Sequence, residues 1–159
     1  MQAALKRDAR ACRTGIDQQR RGVFLIEKLQ RLAADFAVFD DPHERLTAVI
    51  DRARKIPPLP PADRIDANRV QGCVSVVWLV CELHDNRCDM RCDAESPLVR
   101  GLVVFLCDFF TGAPVAEIAA SDLDPLEALD LTRNLSPTRR NGLAAVRNAI
   151  RAFAQNRPT

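Results

Sequence analysis

One stretch limits the fold more than any other: between Val74 and Asp93 the chain spells out a β-hairpin. The run Val74-Ser-Val-Val-Trp-Leu-Val-Cys-Glu-Leu83 is β-branched and apolar at both alternating sets of positions. That pattern predicts a strand covered on both faces or central in a sheet. His84-Asp85-Asn86 reads as the turn. The return segment alternates strictly, with Cys88, Met90 and Cys92 on one side and Arg87, Asp89, Arg91 and Asp93 on the other. This predicts a half-buried antiparallel strand whose four charged residues face water. Upstream, Arg69 and Val70 are read as the end of a third short strand, and Gly72-Cys73 as the turn between them.

The remainder reads as helix. Leu25, Leu29, Leu32 and Phe36 recur at helical spacing. Asp41-Pro42-His43-Glu44 combines a capping carboxylate, Pro at the first helical position and Glu at the third. Leu46, Val49, Ile50 and Ala53 form the stripe of that helix, which must stop near Ile56 because Pro57, Pro58 and Pro60 cannot continue it. Residues 57–68 are therefore read as a stiff connector outside the core. Ser96-Pro97, Asp124-Pro125 and Ser136-Pro137 announce three more helices. Leu98 to Phe110 is apolar nearly all round, so that helix should be central; Thr111-Gly112 ends it, with Pro114 as a stop. In the last helix Leu143, Val146, Ile150 and Phe153 make the buried stripe. The order predicts an α+β fold with one three-stranded antiparallel sheet flanked by helices.

Residues 22–157 are thus read as one domain, preceded by a basic extension at 1–21 that is expected to be poorly ordered. Its Lys6, Arg7, Arg10, Arg13, Arg20 and Arg21 face only Asp8 and Asp17. Those acidic residues and the lack of serine count against a transit peptide, and organellar targeting stays open. The net charge of +2 argues against a nucleic-acid binder, which carries a strongly basic face. No apolar run approaches the ~18 residues of a membrane span. Without an apolar h-region at the N-terminus, the expected setting is a reducing cytoplasm.

In that setting the six cysteines are read as free thiols, mostly buried as small hydrophobes. Cys73 departs from the pattern. It follows a glycine, precedes a rigid strand and lies outside the alternation, so a turn presents it from fixed backbone. Position alone leaves it open between a nucleophile and a packed thiol. Cys81 lies within a strand, Cys107 on the central helix and Cys12 in the basic extension. Cys88 and Cys92 invite a metal reading with His84. Four residues of strand span about 13 Å at roughly 3.3 Å per residue, whereas zinc holds each ligand at about 2.0–2.3 Å. They are therefore read as core residues, and no metal is assigned.

Arg139 stands at the third position of the last helix, where a cation works mildly against the helix dipole. Its spacing to Leu143, Val146 and Ile150 places it on the inward stripe. It can serve a structural ion pair or support a thiolate. Nucleotide-binding glycine loops are missing, and the two histidines show no zinc-ligand spacing.

Two long segments carry a resemblance. Pro57-Pro-Leu-Pro60, Arg64 and then Val70-Gln-Gly-Cys-Val-Ser-Val-Val-Trp-Leu79 resemble the SufE/CsdE sulfur-acceptor family, whose hallmark is a G-C-x-S-x-V-W core after a proline-containing connector. Ser96-Pro-Leu-Val-Arg-Gly-Leu102 is similar to the family's helix after the sheet. Leu131-Thr-Arg-Asn-Leu-Ser-Pro-Thr-Arg-Arg-Asn-Gly-Leu143 resembles its C-terminal segment. The match runs from about residue 24 to 155.

The resemblance implies a SufE/IscU-like fold and a sulfur carrier for iron–sulfur cluster assembly. Cys73 would accept persulfide sulfur from a cysteine desulfurase of the SufS/CsdA type, and the chain would stimulate that desulfurase. Arg139 matches the family's arginine near the acceptor loop. Glu95 stands where many relatives have Asp, which leaves its role open. Pyridoxal phosphate would belong to the partner, so no cofactor is expected here. Downstream partners would be Fe–S scaffold proteins, and monomer and homodimer both stay open. By this reading the chain is a transpersulfuration acceptor and not a stand-alone enzyme. Two alternatives remain: a desulfurase-activating module without obligatory sulfur carriage, and an IscU-like cluster scaffold.

Overall fold

The computed structural model describes residues 22–157, so the extension at 1–21, with Cys12, lies outside the described residues. Among the described residues six α-helices and one hairpin follow in order: α1 (Val23–Phe36), α2 (Pro42–Arg54), β1 (Val77–His84), β2 (Arg87–Ala94), α3 (Pro97–Phe110), α4 (Val115–Ala120), α5 (Pro125–Ala128) and α6 (Pro137–Gln155). A 3-10 turn, Asp66–Asn68, lies in the connector. Among the described residues no helix is long and apolar enough to cross a membrane.

The proline-marked starts all begin helices. Asp41 accepts from the His43 N–H at 2.9 Å, and Asp124 accepts from Leu126 and Glu127. The Ser96 and Ser136 hydroxyls accept from Val99 and Arg139, the third residue of each helix. The apolar α3 is the hub, with Leu102, Val103, Leu106 and Phe109 fully enclosed. Pro114, read as a stop, also caps a helix: α4 starts directly after it. This short helix exists for a contact the sequence does not announce. Its buried Glu117 accepts from the backbone N–H groups of Phe24 and Leu25, placing a carboxylate on the N-terminus of α1, whose Gly22 cap offers no side chain.

The hairpin pairs Val77 with Ala94 through to His84 with Arg87. Asp85 and Asn86 both adopt positive φ, at 49° and 62°, the conformation a two-residue hairpin turn requires. Cys88, Met90 and Cys92 are buried, as the alternation demands.

Three expectations are corrected. The sheet has two strands, not three: Arg69 makes a single bridge to Trp78, and Val70 donates to the Val77 carbonyl at 2.9 Å. The 3-10 turn ends just before it and the Gly72 turn (φ 83°) begins just after, so too few extended residues remain for a strand. Second, β1 begins at Val77 and meets the core on one face only, where Leu79, Cys81 and Leu83 lie half-buried opposite Cys92, Met90 and Cys88. On its other face the Arg64 guanidinium of the connector lies 5.6 Å from the Trp78 ring centre. Third, Asp93 does not face water.

Asp93 is 2% exposed. One carboxylate oxygen accepts from Arg100 Nε at 2.8 Å and from the Ala94 N–H at 2.9 Å. The other accepts from Arg64 and from the Leu59 N–H at 3.0 Å. Arg100 also donates to the carbonyls of Ala53 and Ile56, closing the C-terminal end of α2. The connector is therefore clamped onto the sheet, and Leu59, in the segment read as a stiff connector outside the core, is buried by that clamp.

Candidate functional site

Residues 71–76 form a loop held at its base by two backbone hydrogen bonds. Val70 N–H donates to Val77 at 2.9 Å, and Glu95 N–H donates to Val76 at 3.2 Å. The contribution of Glu95 is thus made by its backbone, while its side chain is exposed. Across the loop, α6 presents small residues one turn apart. Gly72, left-handed at φ 83°, lies over Ala145: a Cβ there would meet the alanine methyl at 3.6 Å. Cys73 lies over Gly142. Val74, the next residue, is 80% exposed.

The Cys73 thiol is half-buried and borders a groove of about 460 Å³. The groove is also lined by Val99 and Leu143 from the core, and by Ser136, Thr138 and Arg139 from the first turn of α6. Burial pushes the Cys73 thiol above its ordinary value of 9.0, and the Ser75 backbone N–H, hydrogen-bonded to the sulfur, opposes that rise. At neutral pH the seated thiol is therefore protonated.

Arg139 and Cys73 both line this groove, Arg139 from an exposed position and not from the core stripe. It precedes Leu143 by one turn, so it shares that side of α6 yet projects past the end of the core, over the loop. Among the described residues it forms no ion pair. The result is a groove with a guanidinium and the N-terminus of a 19-residue helix at one side and a thiol at the other. Both favour an anion.

The five cysteines of the described region are free. Cys88, Cys92 and Cys107 are packed in the core. Among the described residues, the metal-type side chains that do converge are Glu82, His84 and Asp89 on the hairpin, all reached by water, with Glu82 already shared between His84 and Arg91. Replacing Cys88 and Cys92 together with Ala or Val is expected to leave no metal dependence in folding. Melting curves with and without chelator should superimpose for both proteins. Stoichiometric zinc in the native protein that disappears in the double variant would refute this.

Comparison with known proteins adds to this geometry. The family described as "SufE: Fe-S metabolism associated domain" matches residues 30–154. An uncharacterized SufE-like protein of Rhizobium meliloti (strain 1021) is 33% identical over 134 residues, covering 81% of this chain and 96% of that protein. A second, from Rhizobium etli, is 34% identical over 134 residues, covering 81% and 90%. Among solved structures, the solution structure of a hypothetical protein from Thermus thermophilus superposes with a TM-score of 0.66 at 18% identity, over 80% of this chain and 93% of that one. That likeness is one of fold.

Proposed function

The chain belongs to the SufE family, whose domain is associated with Fe–S metabolism, and from that premise we propose that it accepts sulfur from a cysteine desulfurase as a persulfide on Cys73 and passes it on for cluster assembly. The observation that carries this reading is the groove itself: one thiol, on a loop pinned at its base, beside an exposed guanidinium and a helix N-terminus.

The step is a thiol–disulfide type exchange. The Cys73 thiolate attacks the outer sulfur of the partner's cysteine persulfide; the S–S bond breaks, and the partner cysteine leaves with the electron pair as a thiolate. One S–S bond forms as one is lost, so no external oxidant or reductant enters. The rate follows the thiolate fraction, its nucleophilicity and access. In its seat against α6 the thiol is protonated and half-covered, so transfer requires the loop to turn the sulfur toward the groove and solvent. There Arg139 and the N–H groups of α6 favour the anion. The partner's pyridoxal phosphate makes the sulfur; this chain receives it. Free thiols suit a reducing compartment.

Intact mass after mixing the protein with a desulfurase and free cysteine tests the reading. One added sulfur per chain, removed by dithiothreitol and mapped to the Cys73 peptide, is the expected result. Sulfur mapped elsewhere, or none at all, would overturn it.

Arg139 provides a graded test. Arg139→Ala should slow transfer about tenfold or more, the size of one charge-assisted hydrogen bond of ~1.5 kcal/mol. Stability should move by no more than about 0.5 kcal/mol, since the side chain is exposed and unpaired among the described residues. Arg139→Lys restores charge without the bidentate fork, so partial rescue separates field from geometry. Equal transfer rates for Arg139→Ala and wild type at subsaturating partner would leave this residue without a role.

A further inference from the structure

Gly142 sits in the interior of α6, where glycine is a poor helix former. Its backbone does not require glycine, because it is not among the residues with positive φ. Packing against another element does not require it either. The three atoms nearest to where its Cβ would stand are all from Cys73: Sγ at 2.7 Å, Cβ at 3.7 Å and Cα at 3.8 Å. The last two are ordinary contacts. The first is a collision, and it is with the sulfur alone.

We infer that Gly142 is a positioning residue whose missing side chain forms the seat of the Cys73 sulfur, holding the thiol against α6 at the edge of the groove. The neighbouring pair, Gly72 over Ala145 one turn further along the helix, sets the loop's height, so the sulfur drops into the notch at 142. The seat explains why the thiol is half-buried next to an open groove. It makes the resting state the protonated, guarded one, and it makes release of the sulfur from the notch the step that exposes it. Any side chain at 142 displaces the sulfur, and rotation about the Cys73 side chain toward the groove is the least disruptive way to yield. The role of this seat in sulfur transfer rests on the proposed acceptor function; the seat itself rests on the contact.

The test uses the thiol without any partner. Iodoacetamide alkylation of Cys73, mapped by mass, is followed against pH in wild type and in Gly142→Ala. The variant should react several-fold faster at pH 7, with its profile moved down toward that of an ordinary free cysteine, since a sulfur turned out of the notch is less buried and gains thiolate fraction. A folded variant with an unchanged rate and profile would overturn the inference. Melting temperatures close the remaining gap. In a Cys73→Ala background the notch is empty, so adding Gly142→Ala should hold or raise the melting temperature. An equal loss in both backgrounds would mean that glycine serves something other than sulfur, and would also overturn it. Faster alkylation in a protein whose Cys73 never acquires sulfur from a desulfurase would uphold the seat and refute the acceptor function, so the two failures are separable.

Discussion

Cys73→Ser is expected to lose sulfur acceptance entirely, falling from one sulfur per chain to background. A hydroxyl is not ionised at neutral pH and cannot hold a persulfide, while its smaller oxygen fits the notch at Gly142. Stability should change by only about 0.5–1 kcal/mol. No other described cysteine can replace it. Burial, reinforced by its neighbours Cys88 and Cys92, pushes Cys81 up to about 12. Burial raises Cys88, and the hydrogen bond with Cys92 together with full burial raises Cys107. Cys92 is enclosed in the core. Cys88, Cys92 and Cys107 are covered and Cys81 lies half-buried within the strand, whereas Cys73 borders an open groove.

The same variant separates the competing functions. A Cys73→Ser protein that still acquires a reducible sulfur would refute the carrier reading outright. One that loses sulfur yet stimulates the desulfurase fully would identify an activating module. A scaffold would show cluster absorption after anaerobic reconstitution, and among the described residues only one thiol reaches the groove where a cluster would have to assemble.

The parts of the fold legible in the sequence are those fixed by local chemistry. The Ser/Asp-Pro helix starts encode their own caps. Asp85-Asn86 tolerates the left-handed turn, and Cys88, Met90 and Cys92 mark one face by period alone. Cys73 is visible because it breaks that period beside a glycine. What stays hidden depends on partners distant in the chain. Asp93 obeys the same alternation as Asp89 and Arg91, and nothing local says that Arg64 and Arg100 converge on it from 29 and 7 residues away. Arg139 reads as inward because helical spacing specifies a side of the helix but not whether core lies opposite that turn. Gly142 leaves one local trace, a glycine inside a helix, whose meaning appears only when Cys73 is placed above it.

Removing the Asp93 carboxylate should have the largest effect on stability. Asp93→Ala leaves the Arg100 guanidinium, 16% exposed, without its carboxylate, and strands the N–H groups of Leu59 and Ala94 in a closed site. Breaking a buried ion pair from one side costs about 3–5 kcal/mol, so the melting temperature should fall on the order of 10 °C. Burial alone would raise the Asp93 carboxyl, but hydrogen bonds from Arg100, Ala94, Arg64 and Leu59 outweigh it and hold the group below its ordinary value of 3.8. Its stabilising contribution is therefore complete above the unfolded value of about 3.9 and is lost as pH falls through the lower folded value. Wild type should thus lose part of its stability in that acid window, and Asp93→Asn, uncharged throughout, should lack that part. The loss should reach the candidate site, because Ala94 pairs with Val77 and Glu95 N–H holds Val76 at the base of the Cys73 loop. Amide exchange at Val70 and Glu95 should accelerate in Asp93→Asn before global unfolding does. A cost below about 1 kcal/mol, with unchanged exchange at the loop base, would reduce the Arg64–Asp93–Arg100 cluster to the weight of a surface ion pair.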